Sequence, residues 1–473
     1  MSGIAHIGFD FGSSLIKVAV RLEDVGETGA APDAAFGIAF EGQSRDAPYR
    51  VFRPTEIGVT GTGDGRRIQL RGASAGAISI TEIKERLMGG FYPQGAPLLD
   101  TQLEGSGLTV LEGAALLLAS TLCDVRDAIE HYARDRNTRR PETILVNCAV
   151  PSADTMSAQT RDALSETACP HRRAFQELME RTRQWVFGNA SVRLPSELSM
   201  VEAKRFSREI LNIKLPATVE SWGTTCVPEA LAAVTAALRH PQFRRGLYFV
   251  FDVGAYTTDA SLFHFHPALE YQIMVYYGIG SARAGIGRGA TTHAGDTAAE
   301  QLKHQLSDMY RVMLESMITD HGNQFTKGLL RHDQRPNTPK WEAVVLGGGA
   351  NQAYVRSALA GLALPSSTGA GFRVAPLNVA PLLFPVQTYS HVVFIHQRGG
   401  TACTKPLKGL RASWPHYSAA LEQPSSILQL ALGLASGAFQ IPSWSAGEPV
   451  TPTNRPDAVS KDAWRMFHPW ADH

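Results

Sequence analysis

The sequence predicts an α/β protein built on a duplicated domain. Three observations carry this. Short apolar runs of strand length alternate with longer amphipathic stretches at helical spacing. The same acidic–x–glycine turn follows an apolar run twice, near residues 10 and 252. The 473 residues exceed what one ordinary core organises, so two or more lobes are expected.

In chain order, Ile4–Phe9 reads as a buried strand that ends at Asp10, and Lys17–Leu22 reads as its hairpin partner. Val110–Ala133 places Val110, Ala114, Leu117, Leu118, Leu122, Val125, Ile129 and Tyr132 on one helical face. That helix feeds a second strand, Ile144–Val150. An alanine-rich helix is expected over Pro228–Arg239, followed by strand Leu247–Phe251 and a helix near Asp296–Ser316. Ala343–Leu346 reads as a strand, and Asn351 as the N-cap of a helix to Leu362. Beyond Gln440 the chain carries several prolines and Trp444, Trp464 and Trp470. This tail either packs on the body, because tryptophan is costly to leave in water, or binds a partner.

Hydrophobic residues make up 44% and charged residues 19%, with a formal net charge of +1. Bulk electrostatics therefore does not argue for nucleic acid or for an anionic membrane, and neither is expected as a partner. The basic group Arg134, Arg136, Arg139 and Arg140 reads as a solvated loop after a helix. Five scattered cysteines, Cys123, Cys148, Cys169, Cys226 and Cys403, contain no C-x-x-C pair; Cys148 reads as core. With no signal-peptide layout and no long apolar run, a cytoplasmic location is expected. His264-Phe265-His266 reads as an exposed strand face, not a metal site. Gly278 to Gly289 is glycine-rich without a following Gly-Lys-Ser/Thr, so it reads as a flexible loop and not a P-loop.

Chemistry concentrates at the two turns. The first is Asp10-Phe11-Gly12-Ser13-Ser14-Leu15-Ile16-Lys17; the second is Asp252-Val253-Gly254-Ala255-Tyr256-Thr257-Thr258-Asp259. A phosphate approached by backbone N–H groups needs glycine, because a Cβ blocks the approach. Gly12 and Gly254 stand at the same offset from an aspartate. Ser13, Ser14, Thr257 and Thr258 offer hydroxyl donors, and Lys17 a compact positive charge. Magnesium takes oxygen ligands and keeps several waters, which suits Asp10 and Asp252.

The pair of turns resembles the phosphate-1 and phosphate-2 motifs of the superfamily that joins actin, sugar kinases and the 70-kDa heat-shock chaperones. Asp252, Gly254, Thr257 and Asp259 match the chaperones' second motif, while Asp10, Gly12, Ser13 and Lys17 have actin's spacing. Thr81 to Gly89 resembles the chaperone segment with the catalytic lysine, which would be Lys84. Val150-Pro151-Ser152, continued by Gln159–Leu164, resembles the turn coupling the lobes. Val227-Pro228-Glu229-Ala230 resembles the lobe-connecting Glu-Pro motif, with valine in place of its first glutamate; Glu229 is either a water-orienting acid or a first-turn helix acid. Gly347-Gly348-Gly349 resembles the adenosine turn, and Leu430–Ala435 the helix that ends the nucleotide domain. Insertions fall around 160–215 and 362–425. The basic adenine segment is not evident between Glu300 and Leu330, and the peptide-binding domain is expected to be absent.

The resemblance implies a two-lobed actin-like ATPase fold, with duplicated ribonuclease-H-like domains and a nucleotide cleft between them. Lobe I would span 1–246, lobe II 247–427, a helix returning to lobe I 428–440, and the tail 441–473. ATP or ADP with Mg2+ would bind there. Gly12, Ser13, Ser14, Lys17, Gly254, Ala255, Tyr256, Thr257, Gly347, Gly348 and Gly349 would contact nucleotide. Asp10 and Asp252 would hold the metal's waters. Lys84, Thr257, Asp259 and Glu229 would carry hydrolysis. The expected activity is that of a stand-alone chaperone-like ATPase with a protein partner or client. A filament-forming actin-like protein that self-associates and a nucleotide-binding scaffold with weak hydrolysis are the alternatives. A small-molecule kinase lacks a recognisable substrate base.

Overall fold

A computed structural model describes residues 3–23, 34–41, 49–50, 52–88, 100–150, 170–189, 192–229, 232, 246–254, 257–267, 272–282, 300, 304, 306–308, 342–347, 355, 378–381, 391–395, 402–406, 430–431 and 433–435. The chain is mixed α/β and divides into two compact units. The first takes Met1–Val150, Pro170–Val227 and Leu383–Gly437; the second takes Pro151–Cys169, Pro228–Leu382 and Ala438–His473.

The first unit opens with strands β1 (Ile4–Phe11) and β2 (Leu15–Glu23), paired antiparallel from Ile4↔Glu23 to Phe11↔Ile16. β1 is buried on both faces, which is why its sequence is a continuous apolar run and not an alternation. Next come β3 (Ala34–Glu41), antiparallel to β2, and the short strands β4 (Tyr49–Arg50) and β5 (Arg53–Pro54). A small separate sheet then forms from β6 (Ile57–Thr60), β7 (Arg67–Gln69) and β8 (Ile78–Ile80), followed by helix α1 (Ile83–Leu87).

Helix α2 (Val110–Asp135) is the centrepiece of the core. Its start is fixed by a capping box, in which Glu112 N donates to Thr109 Oγ1 at 3.2 Å and Thr109 N donates to Glu112 Oε2 at 2.8 Å. Strand β9 (Thr143–Val150) runs parallel to β1. Within the stretch around 160–215, helix α3 (Pro170–Phe187) contributes core and buries Phe175, Leu178, Met179 and Val186 at helical spacing. Strand β10 (Glu197–Ser199) pairs with β7 and leads into helix α4 (Met200–Leu211), and β11 (Thr224–Pro228) flanks β9. Pro228 therefore ends a strand, and helix begins at Glu229.

The second unit holds β12 (Gly246–Val253), β13 (Thr258–Pro267), β14 (Gln272–Ala282), β15 (Glu342–Leu346) and β16 (Asn378–Pro381). The antiparallel pairs are β12–β13 and β13–β14; β12–β15 and β15–β16 are parallel. Gly278–Ala282 belongs to β14, which corrects the reading of that stretch as flexible loop. The backbone groups on the second edge of β13 need partners, and β14 supplies them. The glycines mark an irregularity in the ladder, whose register shifts at Leu262/Phe263 opposite Gly278. The chain then returns to the first unit through β17 (His391–Ile395), parallel to β3, and β18 (Ala402–Pro406).

Both units repeat one plan. The first five positions run β3-β2-β1-β9-β11 in one sheet and β14-β13-β12-β15-β16 in the other. Each has an antiparallel meander of three strands with its first strand innermost, and a parallel partner on that strand's far side.

Helical residues 430–431 and 433–435 pack against β1. Gly8 makes this approach possible, because a Cβ there would fall on the Ala431 carbonyl oxygen and the Ala435 nitrogen. Asn147 of β9 secures the same segment by donating to Leu434 O at 2.9 Å. No helix among the described residues is long and apolar enough to cross a membrane.

Candidate functional site

In the first unit, Asp10 sits one residue before the end of β1, directly opposite Lys17 of β2. Opposed residues of an antiparallel pair share a face, so the two side chains meet. Lys17 Nζ donates to Asp10 Oδ2 at 2.5 Å, with Asp10 almost wholly buried. Between them, Gly12 N donates to Leu15 O at 3.0 Å and closes the turn. A Cβ on Gly12 would fall on that same carbonyl oxygen, so the tight closure requires glycine. Ser13 and Ser14 are half-buried at the tip.

Lys84 is the second residue of α1, a helix that begins directly after Glu82, whose φ is +62°. Despite its charge, Lys84 is only 1% exposed. Cys148 belongs to β9. Burial pushes the Cys148 thiol well above its usual range, the neighbouring Cys226 thiol adds to this, and the charges of Arg172 and Lys84 oppose it. Cys148 stands beside Phe9 in the parallel register, one residue short of Asp10. Cys148 is fully buried, as expected of a core residue.

In the second unit, Gly254 N donates to Thr257 O at 2.8 Å, which is the same closure as Gly12 to Leu15. Asp252 and Asp259 lie directly opposite each other across β12 and β13, as Asp10 and Lys17 do across β1 and β2. Asp259 is 2% exposed and Thr257 is 6% exposed. The parallel register brings Leu346 beside Asp252, and the chain turns at Gly347 with φ +75°. A Cβ on Gly347 would meet the Asp252 carboxylate and, at 2.7 Å, the Val253 carbonyl oxygen.

The first unit brings together Asp10, Gly12, Ser13, Ser14 and Lys17; the second brings together Asp252, Gly254, Thr257, Asp259 and Gly347. Glu229, at the start of a helix just past β11, is 6% exposed. Ala255, Tyr256, Gly348, Gly349, Pro151, Ser152, the Gln159–Leu164 segment and the 441–473 tail lie outside the described residues. So does most of the helices expected over 228–239, 296–316 and 351–362, although residues 229, 232, 300, 304, 306–308 and 355 are helical. Among the described residues, no group of three or more His, Cys, Asp or Glu side chains is arranged to hold a metal.

Sequence reasoning missed Thr55. Its Oγ1 donates to Gly12 O at 2.6 Å, and its backbone N donates to Ser14 O at 2.8 Å. A threonine after proline gives no signal of this. Gly8 did give one, because a glycine inside an apolar strand marks close backbone approach.

No protein-family model matches the chain, and no curated protein matches it.

Proposed function

We propose that this chain is a chaperone-like ATPase of two-lobed actin-like fold. It binds ATP or ADP with magnesium between two duplicated ribonuclease-H-like lobes and uses lobe closure to control a protein partner. One observation carries the proposal. Two hairpins share a glycine-to-carbonyl closure, an aspartate at the same register position, and a parallel fourth strand beside it. A duplicated pair of anion-accepting turns is what a single polyphosphate gripped from two sides requires.

In this reading Gly12, Ser13 and Ser14 cradle one part of the phosphate chain, and Gly254 and Thr257 the other. Lys17 and Lys84 balance phosphate charge. Asp10 and Asp252 hold the water shell of the magnesium, which when bound would neutralise charge on the phosphates. Asp259, aided by Glu229, orients the attacking water. Gly347 gives backbone approach to the nucleoside. Catalysis rests on positioning and electrostatics with no covalent intermediate. Phosphate release measured on Asp10→Asn and Asp252→Asn should fall at least about tenfold for each. Unchanged turnover in both removes the metal assignment. ATP binding by the wild-type protein without phosphate release selects a nucleotide-binding scaffold.

An actin-like filament is the second reading. It is favoured by Lys17 standing opposite Asp10, where the second hairpin has Asp259. Nucleotide-dependent pelleting on sedimentation selects it.

A further inference from the structure

We propose that Thr55 is a positioning residue that sets the aim of the first turn's amides. The inference rests on the nucleotide reading above and deepens it. The two bonds from Thr55 reach both ends of the turn: Oγ1 takes the carbonyl of Gly12, and the backbone N–H takes the carbonyl of Ser14. A trans peptide is planar, with its C=O and N–H pointing in opposite directions, and the described residues contain no cis peptide. Fixing the Gly12 carbonyl towards Thr55 therefore fixes the Ser13 N–H away from it. Fixing the Ser14 carbonyl does the same for the Leu15 N–H, so the Ser13–Ser14 peptide, with the Ser14 N–H, is held between two fixed planes. A turn that accepts phosphate through N–H groups must present them already oriented, because any reorientation on binding is subtracted from affinity.

Thr55 is itself immobilised on both sides. Before it, Arg53 is buried to 2% and donates to Ser120 Oγ at 3.0 Å and to Asp124 Oδ2 at 3.4 Å, both on α2. Burial brings the Arg53 guanidinium down to about 10, and Asp124 works against that fall. Arg71 Nη2 also donates to Asp124, at 2.5 Å, and locks the carboxylate. After Thr55, Glu56 accepts from Ala73 N at 2.9 Å and from Ser79 Oγ at 2.5 Å, within the small sheet. β5 pairs with β2 through Leu15↔Pro54 and Ile16↔Arg53, beside the turn. The brace is thus anchored to α2, to the first sheet and to the small sheet at once. The hydroxyl of Thr55, 1% exposed, has the turn as its target.

The test uses the full chain with Thr55→Val, which removes the hydroxyl at similar volume and keeps the backbone N–H, and Thr55→Ser, which keeps the hydroxyl. Affinities for ATP, ADP and adenosine are measured by calorimetry alongside thermal melting. Thr55→Val should lose about tenfold in ATP and ADP affinity, the scale of one buried hydrogen bond. Adenosine affinity should stay within about twofold, and Thr55→Ser should recover most of the loss. A general structural effect would weaken adenosine in parallel, and that outcome overturns the proposal. So does unchanged ATP affinity in Thr55→Val while the wild type binds ATP. Wild-type protein that melts cooperatively yet binds neither ATP nor ADP overturns the nucleotide reading itself, and the brace's role with it.

Discussion

Lys17 and Asp259 occupy the same register position of two equivalent hairpins, seven residues after their aspartates. The first turn sets a lysine opposite its aspartate, and the second sets Asp259 opposite Asp252. Gly347 shows a different residue-scale constraint, with a left-handed φ and no room for a Cβ beside Asp252. Gly347→Ala should destabilise the protein in urea by at least about 1–2 kcal/mol from the backbone conformation alone. ATP affinity should fall as Asp252 is displaced. Glu180 gives a pH prediction. Its burial alone would raise its carboxyl, but hydrogen bonds from Arg183, Gln184 and Thr224 outweigh that and lower it below 4.5. A carboxyl lowered in the folded state contributes stability above its unfolded value. That contribution is lost as pH falls through the lower folded value. The melting temperature of the wild type should exceed that of Glu180→Gln at neutral pH, and the gap should close below about pH 4.

At the scale of elements, the close contact between β1 and helical residues 430–435 depends on one missing side chain. Gly8→Ala would drive a methyl group into the helix backbone, which cannot yield as a side chain can. A loss of about 2 kcal/mol in chemical denaturation is expected; a smaller change would mean that the helix is displaced at little cost. Much of the element plan was legible beforehand. β1, β2, β9, α2, β12 and β15 sit where apolar period and punctuation put them; for β1, β2, β9 and α2 the reason is burial deep enough to write the apolar pattern into the sequence. Helix α3 was not found. Its apolar stripe is interrupted by Arg172, Arg173, Arg181 and Arg183, whose charge is satisfied only in the folded chain. The glycine-rich end of β14 was misread for a similar reason, since its strand character comes from β13 and not from its own residues.

Across the whole molecule, the duplication makes a prediction that neither turn makes alone. If both turns hold one nucleotide, Asp10→Asn and Asp252→Asn act on a shared transition state. Their combination should then cost little more in turnover than the worse single variant. Multiplicative losses in the double variant would indicate two independent contributions.

The sequence by itself determined the two turns. Glycine spacing and acidic placement are local requirements of a tight hairpin, and a local requirement is visible in a local window. It also determined the alternation of strands and helices. Only the tertiary structure decided what each turn faces. Lys17 against Asp10, Asp259 against Asp252, Gly347 beside a carboxylate and Thr55 behind the first turn are all contacts set by strand register or by elements distant in sequence. Register follows from which faces are buried together, and that is a property of the assembled sheet, not of any one strand.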